Sequence, residues 1–106
     1  MATSKDYLNF ILDQLSDLKE ITSRPMMGEY LLYYRGRLFG EVCDNRLLLK
    51  PVPAAVDLLP GAVYEPPYPG AKEMLLMEEV ENRELLARVV EGMYPQLPPP
   101  KKRRQK

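Results

Sequence analysis

The stretch YRGRLFGEV, Tyr34–Val42, decides how the chain is read, because its two glycines, Gly36 and Gly40, suit three different structures. They fit a phosphate-cradling loop, an Arg-Gly contact to RNA, or the bend and close packing of a sheet. A dinucleotide fingerprint needs a third glycine and a helix that opens at the loop, so that free N–H groups face the phosphate. A Walker loop closes on Gly-Lys-Ser/Thr. Neither pattern is present, and Gly40 falls inside a strand-like run that is followed by the turn-forming pair Asp44-Asn45. The stretch therefore reads as a tight turn at Arg35-Gly36 and a bulge or close-packing site at Gly40.

Both flanks of the turn support a sheet. EYLLYYR before it is rich in β-formers, RLFGEVC after it is the return strand, and RLLLK beyond Asp44-Asn45 is a third hairpin-connected strand. Arg24-Pro25 ends helical character, with a strand through Met26 and Met27 and a bulge or break at Gly28. Upstream, Leu8, Ile11, Leu12, Leu15 and Leu18 form one apolar stripe of a helix from Ser4 to about Lys19, with Thr3 and Asp6 as its capping pair. Downstream, Pro53 opens a short helix to Leu59, Ala62–Glu65 suits a proline-rich edge strand, and KEMLLMEEV is a further strand. Asn82 caps a final helix carrying Leu85, Leu86, Val89, Val90 and Met93, which Gly92 and Pro95 close. The order α-β-β-β-α-β-β-α predicts a two-layer α+β domain over residues 1–95, with about five antiparallel strands and helices on one face. Residues 96–106 read as a flexible, proline-rich basic tail.

With 106 residues, 45% of them apolar and 28% charged, the chain supports one globular domain. The start MATSKDYLNF carries an early acid and no apolar core of a signal peptide, and no run is long enough to cross a bilayer. A single cysteine, Cys43, forms no internal disulfide, so a cytoplasmic location and no membrane partner are expected. Net charge is zero, but the tail KKRRQK holds five of the fifteen basic residues. The body before it carries fifteen acids against ten bases, which argues against a nucleic-acid surface on the folded domain. Nucleic-acid contact is expected only through Lys101, Lys102, Arg103, Arg104 and Lys106.

The sequence holds no histidine, which removes the usual Cys-His and Ser-His-Asp arrangements and the commonest metal ligand. Cys43 at a strand end reads as a small packed residue. Arg35 and Arg37 read as exposed residues of a hairpin tip, and the acids Glu78, Glu79, Glu81 and Glu84 as a solvated rim matching no calcium loop. No catalytic residue, cofactor or metal site is expected. The notable feature is that both faces of the strands are apolar: Leu31 and Tyr33 alternate with Tyr30, Leu32 and Tyr34, and similar sets recur around Phe39, Leu48, Leu75 and Met77. Helices on one side cover only one set. Either the C-terminal helix or the Tyr64–Pro69 segment covers the other, or it is a binding surface for a protein partner or a second copy of the chain. Leu31, Tyr33, Phe39, Leu48, Leu75 and Met77 are the candidate face.

The run RPMMGEYLLYYRGRLFGEVCDNRLLLKP, Arg24–Pro51, resembles the N-terminal domain of the TfoX/Sxy family of bacterial competence regulators. The likeness lies in Met-Met-Gly at Met26–Gly28, Tyr-x-x-Gly-x-x-Phe-Gly at Tyr33–Gly40 and Asp-x-Arg-Leu-x-Leu-Lys at Asp44–Lys50, and it extends over roughly residues 4–94. It implies a secretion-chaperone-like α+β fold. It also implies a transcriptional co-regulator of DNA-uptake genes that works with the cyclic-AMP receptor protein. Full-length members carry a second, helical domain, whereas this sequence continues after Met93 as YPQLPPPKKRRQK, a stand-alone form. The expected function is a non-enzymatic regulatory, protein-interaction domain. Two alternatives are a ligand-binding or catalytic domain of unfamiliar type, with Tyr33, Cys43, Arg35 or Lys50 around a cleft, and weak nucleic-acid binding by the tail.

Overall fold

Three two-residue turns organise the centre of the molecule. Met27–Gly28, Arg35–Gly36 and Asp44–Asn45 have positive φ at both positions, at 52° and 86°, 52° and 82°, and 54° and 55°. Positive φ at both central residues is the signature of the type I′ hairpin, whose twist matches that of the strands it joins. The turns connect β1 (Ile21–Met26), β2 (Glu29–Tyr34), β3 (Arg37–Cys43) and β4 (Arg46–Leu49) into a meander, with Met26 opposite Glu29, Tyr34 opposite Arg37 and Cys43 opposite Arg46. The computed structural model describes residues 3–99, so the five tail cations lie outside the described residues.

The remaining elements are α1 (Lys5–Gln14), α2 (Pro53–Leu58), β5 (Tyr64–Glu65), β6 (Met74–Leu76), α3 (Arg83–Met93) and a 3₁₀ turn at Tyr94–Gln96. Six antiparallel strands run in the order β1-β2-β3-β4-β6-β5, giving the expected α+β architecture with one strand more than expected. That strand is β1, which the sequence places at Met26 and Met27 and which instead begins at Ile21 and runs through Pro25 to Met26. Pro25 is tolerated because β1 lies at the sheet edge, where proline's missing N–H costs no interior ladder bond. Gly28 belongs to a turn, not a bulge.

One cluster forms the core. It joins Leu8, Ile11, Leu15 and Leu18 at the N-terminal helix, Leu86, Val89, Val90 and Met93 from α3 and Ala55 from α2 to Leu32, Tyr34, Phe39, Val42, Leu47, Leu49, Leu75 and Met77 of the sheet side. All three helices therefore share one sheet face. Helix α1 stops at Gln14 instead of Lys19, yet Leu15 and Leu18 remain buried on the turn that follows. Its cap is Ser4, one residue later than expected, whose Oγ accepts from the Tyr7 N–H. Thr3 is instead buried, its N–H donating to Gly28 O and its hydroxyl to Val42 O. Asn82 caps α3 as expected, accepting from the Leu85 N–H, and Pro53 occupies the first turn of α2.

The register of β3 against β2 shifts at Leu32/Tyr33: Leu32 pairs with Gly40 and Tyr33 with Leu38, leaving Phe39 as the extra residue. This bulge turns Phe39 into the core and brings Gly40 against β4. A Cβ on Gly40 would lie 2.3 Å from Leu48 O, so this is the close-packing glycine of the sequence reading. Arg37 is not an exposed tip residue. It is half-buried, its Nη1 donates to Tyr94 O at 3.1 Å and Leu97 O at 3.2 Å, and its guanidinium stands 4.5 Å from the Tyr94 ring centre. It gives a second donor to the Tyr94 carbonyl, which already accepts from the Leu97 N–H, and a donor to the Leu97 carbonyl just beyond the 3₁₀ turn.

Candidate interaction surface

The outer face of the sheet, opposite the helices, is ordered by the strand register. One transverse row runs Arg24, Leu31, Glu41, Leu48, Leu76 across β1, β2, β3, β4 and β6, and a second runs Thr22, Tyr33, Leu38 across β1, β2 and β3. The first alternates charge and hydrocarbon; the second is largely apolar.

The segment between β5 and β6 folds over part of this face. Pro67 is buried, and its carbonyl accepts from the Cys43 thiol at 3.5 Å and from Arg46 Nη2 at 3.4 Å. Pro67, Tyr68 and Ala71 line a cleft of about 270 Å³ with Leu38, Glu41 and Lys50. Leu48 and Cys43 are fully buried on this side, outside the main core. The half toward β1 is open. There Leu31, Tyr33 and Leu38 are half-exposed and line a groove of about 740 Å³ together with Arg24, Lys50, Pro98 and Pro99.

The six residues expected to form one face are thus divided. Leu31 and Tyr33 lie on the open half. Leu48 points the same way but is fully buried, and Phe39, Leu75 and Met77 are core residues on the helix side. Two physical causes account for the correction. The β3 bulge inverts the alternation at Phe39, and β6 pairs Leu75 with Leu49, a core residue, which fixes the parity of its whole strand. Sequence reasoning missed Leu38, Arg24 and Lys50 as members of the surface, because their shared side follows from the bulge and register. Lys101, Lys102, Arg103, Arg104 and Lys106 lie outside the described residues.

A polar cluster sits under the proline segment. Potential ligand atoms of Glu29, Glu41 and Cys43 lie within 4.8 Å of one another, because Glu29 and Cys43 face each other on β2 and β3 with Glu41 two residues along. Arg46 occupies its edge, with Nη2 3.6 Å from the Cys43 sulfur and Nη1 paired with Glu65. Burial, and then the Glu29 carboxylate, push the Cys43 thiol up to about 11, so at neutral pH it is a thiol and not the thiolate that acts as nucleophile or metal ligand. Burial and Glu29 also raise the Glu41 pKa, against the pull of Lys50. Its Oε1 is buried without a hydrogen-bond partner among the described residues. Of the groups proposed to surround a catalytic cleft, Tyr33 and Lys50 share the open groove. Cys43 is covered elsewhere, and Arg35 stacks near Tyr34 and Tyr94.

Comparison with known proteins places this geometry. The chain is 36% identical to the uncharacterized 12.7 kDa protein in the trpE 5′ region of Spirochaeta aurantia, over an alignment that takes in 100% of this chain and 93% of that protein. No solved structure matches. The family model for the TfoX N-terminal domain matches residues 13–91, from the end of α1 through nearly all of α3. The region matched contains the entire six-stranded sheet and both of its faces, and the chain belongs to the TfoX N-terminal domain family.

Proposed function

We propose that this chain is a non-enzymatic regulatory module that binds a protein partner through the open half of its outer sheet face. The observation that carries the reading is the position of Leu31, Tyr33 and Leu38, side by side on adjacent strands and half-exposed, where the proline segment stops short. A contiguous apolar strip left open on a small domain marks an interaction site more often than a catalytic one. The poorly ionised Cys43 thiol and the absence of histidine support a binding role over nucleophilic chemistry. The regulatory character follows from the resemblance to competence co-regulators, and a cytoplasmic setting from the single free, buried cysteine. Among the described residues, no helix is long and apolar enough to cross a membrane.

The test compares wild type with Tyr33→Glu as bait in a native lysate, alongside light scattering over a concentration series. Tyr33 lies outside the core cluster, so the variant keeps its melting temperature. A protein, or a second copy, retained by wild type and lost with the variant is the expected result. Equal retention by both baits overturns the proposal, as does a wild type that stays monomeric and retains nothing.

A further inference from the structure

The open groove differs in charge from the molecule around it. The body before the tail carries five more acids than bases, yet the residues lining the groove include Arg24 and Lys50 and no carboxylate. Among the described residues neither cation forms an ion pair; the pairs present are those of Arg46 and Arg83. Glu41, beside Leu31 on the outer face and lining the neighbouring cleft, is an opposing charge felt by Lys50.

The spacing of the cations is informative. Arg24 belongs to β1 and Lys50 follows the last residue of β4, with β2 and β3 between them. Arg24 shares a row with Leu48, so three strand spacings of about 4.8 Å and two residues of about 3.3 Å along the strand separate it from Lys50, roughly 16 Å on the diagonal. An extended peptide running along that diagonal covers it in roughly four to five residues at about 3.3 Å apiece, and its alternate side chains share one face. A segment of the pattern acid-x-apolar-x-acid lying across the strands therefore sets its end carboxylates at Arg24 and Lys50 and its middle side chain on Leu31, Tyr33 and Leu38.

We infer that the groove recognises an acidic, extended peptide segment of a partner protein, with carboxylates flanking an aliphatic or aromatic residue. This rests on the reading of the face as a protein-binding surface and deepens it by naming the chemistry of the occupant. Exposed ion pairs contribute modestly, so the cations set specificity and the apolar strip supplies most of the affinity.

The experiment selects random nine-residue peptides displayed on phage against the full chain, against Tyr33→Glu, and against the double reversal Arg24→Glu/Lys50→Glu. Both reversed positions lie on the surface away from the core, and each variant is first matched to wild type by thermal melt. Wild type is expected to enrich peptides with two acids about four positions apart around an apolar residue. The reversal should weaken them by roughly fivefold to twentyfold, as loss of two exposed pairs implies, and enrich Lys- and Arg-bearing peptides instead. Peptides that require Tyr33 but show no acidic bias overturn the charge assignment and leave the binding module standing. Peptides indifferent to both variants, or no enrichment, overturn the inference together with its site. A labelled single-stranded 20-mer oligonucleotide is titrated in parallel; if its binding depends on Arg24 and Lys50 while peptides do not, the occupant is a phosphate polymer and the inference fails.

Discussion

Replacing Gly40 with alanine adds a single methyl group at the point where β3 and β4 approach most closely. The new Cβ would stand 2.3 Å from Leu48 O, 3.3 Å from the Leu48 carbonyl carbon and 3.2 Å from Leu49 Cδ2. The first two are backbone atoms, so no rotamer change relieves them. To restore ordinary contact the strands must separate by about 1 Å, which strains the ladder from Gly40–Leu49 to Cys43–Arg46 and the Lys50 N–H bond to Phe39 O. Overpacking of this kind costs about 1–3 kcal/mol, and each weakened ladder bond adds about 1 kcal/mol. Together they give about 3–5 kcal/mol, a large share of the roughly 5–15 kcal/mol that holds a domain folded. Gly36→Ala sets the comparison: its φ of 82° in a turn makes alanine cost about 1–2 kcal/mol through backbone strain alone. Urea titrations followed by circular dichroism should place Gly40→Ala well below Gly36→Ala, with midpoint losses of roughly 2–4 M and about 1 M for a chain of this size. A Gly40→Ala protein within 1 kcal/mol of wild type would refute the close approach and the β3 bulge that produces it.

Four further outcomes follow from particular residues. Arg37→Met loses two hydrogen bonds to the carbonyls of Tyr94 and Leu97 and the stacking on Tyr94, so it should destabilise by about 2 kcal/mol and speed amide exchange at the end of α3, a loss that Arg37→Lys does not recover. Met27, 96% exposed with φ at 52°, holds a turn position that suits asparagine better, so Met27→Asn should raise stability by about 0.5–1 kcal/mol in the same titration. Glu41 has a folded-state pKa raised above its ordinary 4.5, so its contribution is fully present below that value and is lost as pH rises through the raised one. Glu41→Gln should therefore melt higher than wild type at pH 7, and the gain should vanish by pH 4. Cys43, with its thiol pushed up to about 11, should react with a disulfide reagent at pH 8 only slowly in the native protein and rapidly in urea.

Much of this fold can be read from local chemistry. The helical stripes, the Asn82 cap, the proline that opens α2 and the two turns Arg35–Gly36 and Asp44–Asn45 each depend on residues close in sequence, and each stands in the structure. The outer face was legible only in part, because side-chain parity is a property of paired strands. Phe39 and Cys43 share a face by simple alternation and lie on opposite faces once the bulge inserts one residue between them. Leu75 and Met77 carry no periodic signal strong enough to choose a side; pairing with Leu49 makes the choice. Nor does any local pattern announce that Arg37 reaches the carbonyls of Tyr94 and Leu97, nearly sixty positions away, or that Pro67 seals Cys43. Of the covers expected for the second face, the proline segment is the one observed; it lies over one half and leaves the other open.

The central claim is that binding occurs on that open half. Hydroxyl-radical footprinting of the chain, alone and with the protein that wild type retains and Tyr33→Glu does not, reads it directly at side chains. The account predicts that Leu31, Tyr33 and Leu38 lose reactivity on binding, while Phe10 on α1 and Val56 on α2, both exposed on the helix side, keep theirs. Protection at Phe10 and Val56 with Tyr33 unchanged would contradict it and move the working surface to the helices.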